Sequence, residues 1–207
     1  LHLETLVVEP IAGRSPAATV FVLHGRGADC HDLVPLAEAL ELPWLRYVFA
    51  NAPLKVRGTG GGRQWYEFDS THDKGLREST RLLVETIGAR ADAKPVVLLG
   101  FSQGAVLALS AGLSCLPPPA AIVALSGYYV APELPAERGG VPYPPVLIVH
   151  GERDPVIPVQ LGREALVALA NLGAAVDYRE FSIGHEVDAR VVEAVHRFLV
   201  ETLDLPG

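Results

Sequence analysis

Runs of four to five β-branched and aliphatic residues recur along this 207-residue chain, each stopping at a glycine or a polar residue. Thr19-Val20-Phe21-Val22-Leu23 ends at His24-Gly25, and Val96-Val97-Leu98-Leu99 ends at Gly100. Ala121-Ile122-Val123-Ala124-Leu125 ends at Ser126-Gly127, and Val146-Leu147-Ile148-Val149 at His150-Gly151. A run that is apolar at every position predicts a strand buried on both faces. Tyr47-Val48-Phe49-Ala50 is a shorter example, closed by Asn51-Ala52-Pro53. Residues 176–181 alternate like a strand. A first segment with Leu1, Leu3, Leu6 and Val8 alternates roughly, as an edge strand does.

Between these runs the apolar spacing is helical. Asp32 is placed to cap a helix carrying Leu33, Leu36, Ala37 and Leu40, with Pro35 in its first turn. Leu76, Leu83, Val84 and Ile87 predict a helix over 76–90, and an Ala/Leu-rich run after residue 104 predicts another that Pro117 ends. Residues 161–172 form an amphipathic pattern closed by Gly173. The last helix, about 187–202, sets Val191, Val195, Phe198 and Leu199 on one face. Residues 10–16, 54–75 and 128–145 read as turn or loop. Strands alternating with helices predict an α/β fold, a mostly parallel central sheet with helices on both faces. No repeat, linker or shift in composition divides the chain, so one domain over residues 1–207 is expected.

Composition refines this only by exclusion. Hydrophobic residues at 49% and charged residues at 20% are those of an ordinary globular protein. A net charge of −7 argues against nucleic acid or anionic lipid as a partner, since both require a basic face. No apolar run approaches the length of a membrane span, and the first residues lack the basic start of a signal peptide. A cytoplasmic location is the resulting expectation, with room for a short leader trimmed ahead of Leu1. Cys30 and Cys115 have no metal-type spacing and read as reduced thiols.

Chemistry enters at Gly100-Phe101-Ser102-Gln103-Gly104. A serine between a buried strand and a helix is pushed out of the sheet, and the flanking glycines allow so tight a turn. With 20 glycines in the chain the string arises by chance about 0.1 times, so its placement matters more than its letters. If Ser102 is a nucleophile it needs a base, a carboxylate to orient that base, and N–H donors for an oxyanion. Functional groups of such sheets collect at the carboxyl ends of the strands. Of the seven histidines, His185 lies after the last strand beside Gly184 and is the candidate base. His24 and His150 each precede a glycine at a strand end, where holding a loop is the plainer role, and His196 lies within the last helix. Asp154 is the candidate acid, favoured over Glu152 because Pro155 stiffens the backbone after it. The N–H groups of Gln103 and of Arg26, in Gly25-Arg26-Gly27, are the candidate oxyanion donors. A phosphate loop there is disfavoured, because neither a third glycine nor Gly-Lys-Thr/Ser follows.

Taken together, Leu23-His24-Gly25-Arg26-Gly27, Asn51-Ala52-Pro53, Trp65-Tyr66, Gly100-Phe101-Ser102-Gln103-Gly104, Gly151-Glu152-Arg153-Asp154-Pro155-Val156 and Gly184-His185-Glu186 resemble the phospholipase/carboxylesterase family of α/β-hydrolases. The likeness runs from about residue 20 to the C-terminus, and Ser102, Asp154 and His185 follow the chain order of α/β-hydrolase triads. Asp29 departs from the pattern, standing one place later than in many members. The resemblance implies an α/β-hydrolase fold without a large cap domain, a Ser-Asp-His triad and cleavage of carboxylic esters or thioesters. His31-Asp32-Leu33 is closer to the bacterial esterase branch than to the acyl-protein thioesterases. No cofactor or metal is implied. The partner is a small ester or thioester, and a homodimer is left open. Trp65 and Tyr66 are expected to line the acyl pocket, against the alternative that they pin the loop 54–75 to the core. A dienelactone-hydrolase-like enzyme would want Cys at position 102, and a non-catalytic relative would be expected to lose one of the three triad residues.

Overall fold

The computed structural model describes residues 2–11, 15–58, 60–92, 95–132 and 139–206. Leu1, the middle of the 10–16 turn, Thr59 and residues 133–138 of the expected 128–145 loop lie outside them. Seven strands form one sheet: β1 (Thr5–Val8), β2 (Ala18–Leu23), β3 (Leu45–Ala50), β6 (Val96–Phe101), β7 (Ala121–Leu125), β8 (Val146–Gly151) and β9 (Val176–Phe181). A separate hairpin of β4 (Leu54–Lys55) and β5 (Arg63–Gln64) lies in the segment read as loop. The sheet order is β1-β3-β2-β6-β7-β8-β9; β1 pairs antiparallel with β3 and every other pair is parallel.

Wholly apolar strands are explained by what covers them. Phe21, Leu23, Leu98, Ile122 and Ile148 face one core with α2 (His72–Arg90), α3 (Gln103–Ser114) and α4 (Val159–Asn171). Their neighbours Val20, Val22, Leu99, Val123 and Leu147 face a second core with α1 (Val34–Ala39) and α5 (Ala189–Leu203). Both faces of the sheet are therefore dry, and only the two edge strands keep half-buried residues along most of their length. Among the described residues no helix is long and apolar enough to cross a membrane.

Two helix starts differ from expectation. The first helix begins at Val34 without a side-chain cap, and Asp32 is not its N-cap residue. Asp29 is the acid that organises this turn, its carboxylate accepting the His31 N–H at 2.9 Å. The second helix starts at His72, four residues before the apolar spacing begins. Gly75, which reads as a loop residue, is what lets this extra turn form: a Cβ there would lie 2.9 Å from the Tyr66 Cβ. At the other end of the chain, Asp188 caps the last helix, accepting from the N–H groups of Arg190 and Val191.

Candidate active site

The carboxyl end of β6 runs straight into α3 through Ser102, whose backbone stands at φ 55°, ψ −120°. This is a region that a non-glycine residue occupies only under constraint from its surroundings. The constraint is backbone packing. A Cβ on Gly100 would lie 2.1 Å from the Gly104 carbonyl oxygen, and one on Gly104 would lie 2.1 Å from the Leu23 carbonyl oxygen. The helix thus starts in contact with the end of β2, and Ser102 is lifted above the sheet. Gly104→Ala is expected to cost about 3 kcal/mol or more in chemical denaturation, because the obstructing atoms are main chain and cannot rotate away.

His185 follows β9, and its loop is seated against the end of β8. A Cβ on Gly151 would come within 2.2 Å of the Gly184 carbonyl oxygen. The N–H groups of Glu152 and Arg153 bond to the carbonyls of Phe181 and Ile183, and the Arg153 guanidinium donates to the Ser182 carbonyl. The imidazole packs on Phe101, ring centroids 4.8 Å apart. Its Nε2 lies 2.9 Å from Ser102 Oγ and its Nδ1 2.6 Å from Asp154 Oδ2. Glu152, the competing acid, is exposed.

Asp154 has a buried carboxylate with every near acceptor site engaged: Oδ1 takes the N–H groups of Val156 (2.8 Å) and Ile157 (2.9 Å), and Oδ2 faces His185. Burial by itself pushes this carboxyl up. The bonds from His185, Ile157 and Val156 outweigh it and hold the group below the ordinary carboxylate range. An ionised carboxylate only accepts, so His185 carries its proton on Nδ1 and offers the bare Nε2 to the serine hydroxyl.

The loop after β2 lies directly beside the serine, since a Cβ on Gly25 would be 3.3 Å from the Ser102 Cβ. Its shape is fixed from several sides. The Arg63 carbonyl and N–H pair with Gly27 and Ala28, and Asn51 Oδ1 accepts the Cys30 N–H. His24 accepts the Ala52 N–H at Nε2 and donates from Nδ1 to the Gly25 carbonyl, so its neutral tautomer is set by its neighbours. Burial lowers its pKa and keeps it in that neutral form. Among the described residues no acceptor is found for the N–H of Arg26 or of Gln103. Gln103 opens α3, where N–H groups lack partners within the helix and favour negative charge.

Trp65 and Tyr66, expected on the wall of a pocket, are both wholly buried and so present no surface to a substrate in this conformation. They anchor the loop to the core. Trp65 Nε1 donates to the His24 carbonyl, and Tyr66 Oη lies 3.0 Å from Tyr128 Oη. The side chain of Gln103, to which the sequence assigns no role, binds them to the elbow: Oε1 accepts the Trp65 N–H and Nε2 donates to the Tyr66 carbonyl. The exposed aromatic beside the loop after β2 is Phe68, with the Arg26 guanidinium 5.8 Å over its ring and bonded in turn to Gln64. Ligand-type atoms of Asp29, Cys30 and His31 lie within 4.8 Å of one another, the one such group among the described residues, and none of the three belongs to the Ser102 relay.

A mostly parallel sheet with a serine on its central elbow and a histidine and an acid on later strand ends defines an α/β-hydrolase. The phospholipase/carboxylesterase family model matches residues 4–203, and the chain belongs to that family. Acyl-protein thioesterase 1 of Mycosarcoma maydis is 29% identical over 200 residues, covering 82% of each chain. The protein of the same name from Saccharomyces cerevisiae is 31% identical over 169 residues, 71% of this chain and 74% of its own. Among solved structures, esterase PE8 superposes with a TM-score of 0.84 at 30% identity, covering 98% of this chain and all of its own. A Mesorhizobium loti carboxylesterase gives 0.78 at 25% identity, with 91% of each chain covered. The protein is a carboxylic ester hydrolase.

Proposed function

We propose that the protein is a serine carboxylesterase that cleaves short- to medium-chain esters through Ser102, His185 and Asp154. The observation that carries this reading is the continuous hydrogen-bonded relay, 2.9 Å from Ser102 to His185 and 2.6 Å from His185 to Asp154. Ser102 Oγ attacks the ester carbonyl while His185 Nε2 takes its proton. The buried Asp154 carboxylate stabilises the imidazolium that results. The N–H groups of Arg26 and Gln103 receive the oxyanion, the second reinforced by the helix it opens. His185 then protonates the leaving alcohol, and water repeats the sequence on the acyl-enzyme. Phe68 offers the acyl chain an apolar surface that the buried Trp65 and Tyr66 do not.

A thioesterase reading uses the same groups, and the two relatives named acyl-protein thioesterase 1 favour it. Kinetics over a series of p-nitrophenyl esters with matched thioesters separates the two. The esterase reading predicts the highest kcat/KM on oxygen esters of short to medium chain. A tenfold or greater preference for long-chain thioesters would replace it with the thioesterase reading. Mass spectrometry of the fluorophosphonate-labelled protein should place the adduct on Ser102; an adduct on another serine would remove the proposed nucleophile.

A further inference from the structure

We propose that His150 is a positioning residue for this reaction, setting where Asp154 presents its carboxylate to His185. The inference rests on Asp154 being the acid of the triad, and it assigns to a second histidine a function beyond holding a loop.

His150 lies within β8, four residues before Asp154, and is wholly buried. Its Nε2 sits 2.8 Å from the Ile157 carbonyl oxygen. A carbonyl only accepts, so Nε2 carries a proton, which in the neutral ring leaves Nδ1 bare. Nδ1 finds no hydrogen-bond partner among the described residues. The backbone of α4 covers it instead, at Gly162, where a Cβ would lie 2.6 Å from Nδ1. An unsatisfied buried acceptor costs stability, which an apolar ring in the same space would avoid. Packing therefore does not account for a histidine here, and its one hydrogen bond does.

That bond reaches the acid through a single residue. Ile157 gives its carbonyl to His150 and its N–H to Asp154 Oδ1, 2.9 Å away. The strand thereby holds the 154–157 turn through the donor to Oδ1, while His185 meets Oδ2. Nε2 is also 3.7 Å from Asp154 Oδ2, too far for a hydrogen bond though close enough for the two buried groups to interact electrostatically, so the one hydrogen bond by which His150 supports the acid runs through the turn. Losing the donor would free the turn to shift, and a displacement of about 1 Å in a relay costs about 10²-fold in rate.

The test compares His150→Gln with His150→Asn. The glutamine amide reaches the place of Nε2 and can still donate to Ile157, whereas the asparagine amide reaches only the place of Nδ1. His150→Asn is expected to lose about 10²-fold in kcat on a p-nitrophenyl ester with KM unchanged. His150→Gln should recover most of that kcat. In an Asp154→Asn background, His150→Asn should have almost no further effect, since the group through which it acts is gone. The proposal is overturned if Asn and Gln are equally active, or if the loss at 150 multiplies undiminished in the Asp154→Asn background. Should His150→Asn fail to melt cooperatively, His150→Gln with wild-type kinetics and Gly162→Ala with the low-kcat phenotype would sustain the proposal, and a fully active Gly162→Ala would overturn it. Fluorophosphonate labelling keeps the two readings apart. A label away from Ser102 in the wild type defeats the triad, whereas equal labelling rates at Ser102 in wild type and His150→Asn defeat only the role of His150.

Discussion

Ser102→Ala is expected to remove about 10⁶-fold of kcat on a p-nitrophenyl ester, with His185→Ala and the double variant losing about as much. The reason is geometric. Among the described residues Ser102 Oγ has one proton acceptor in reach, His185 Nε2 at 2.9 Å, and a histidine proposed as the base is of no use once the hydroxyl is gone. In the proposed relay the two residues act as a unit, so their losses should not multiply. A loss of 10⁶-fold corresponds to about 8 kcal/mol of transition-state stabilisation. The activity that survives would come from the oxyanion donors and from substrate binding. Stopped or single-turnover assays of the three variants against wild type decide the matter. Losses that multiply in the double variant would mean that serine and histidine serve separate reactions.

Asp154→Asn is the second large effect, about 10⁴-fold in kcat with the fold retained. The asparagine can still accept from the N–H groups of Val156 and Ile157 through one oxygen. Its amide would face His185 Nδ1, however, and would donate to it. The proton of His185 would then sit on Nε2, the atom that must be empty to receive the serine proton. The same substitution has a signature in stability. The folded Asp154 carboxyl titrates below its unfolded value, held down by its bonds against the upward push of burial. Its contribution to stability is therefore fully present above the unfolded pKa of about 3.9 and is lost as the pH falls through the folded pKa. The difference in Tm between wild type and Asp154→Asn should be widest near neutral pH and close progressively in acid. A difference that stays constant from pH 7 to pH 3 would contradict the ionised, bonded carboxylate.

What could be read from the letters was the part of the molecule where one residue type admits one environment. Strands such as Val20-Phe21-Val22 are apolar at every position because both faces of the sheet are covered, and this was legible as a mostly parallel sheet. The residues 100–104 carry their own geometry, since Gly100 and Gly104 stand where any Cβ would strike main chain. Side-chain contacts between distant segments were not legible. Trp65 and Tyr66 stand in an irregular, aromatic loop, and nothing local distinguishes a pocket wall from an anchor. The partners that bury them, His24, Gln103 and Tyr128, are about 40 to 60 positions away. The start of α2 was hidden for a similar reason, because Gly75 reads as a loop residue until Tyr66 is placed against it. The sequence assigns Gln103 a role through its N–H alone; its side-chain partners, the main chain of Trp65 and Tyr66, lie in a distant segment.

The amide of Gln103 divides the segment between β3 and α2 into two stretches with different freedom. Trp65 and Tyr66 are fastened by it to the helix that carries the serine, so this pair belongs to the frame of the enzyme. The hairpin at 54–64 ahead of them is tied to the loop after β2 by its second strand, through Arg63 to Gly27 and Ala28 and through Gln64 to Arg26. An exchange of loops between members of the family that keeps Arg63 through Tyr66 should therefore leave the Ser102 elbow undisturbed, whatever it brings ahead of them.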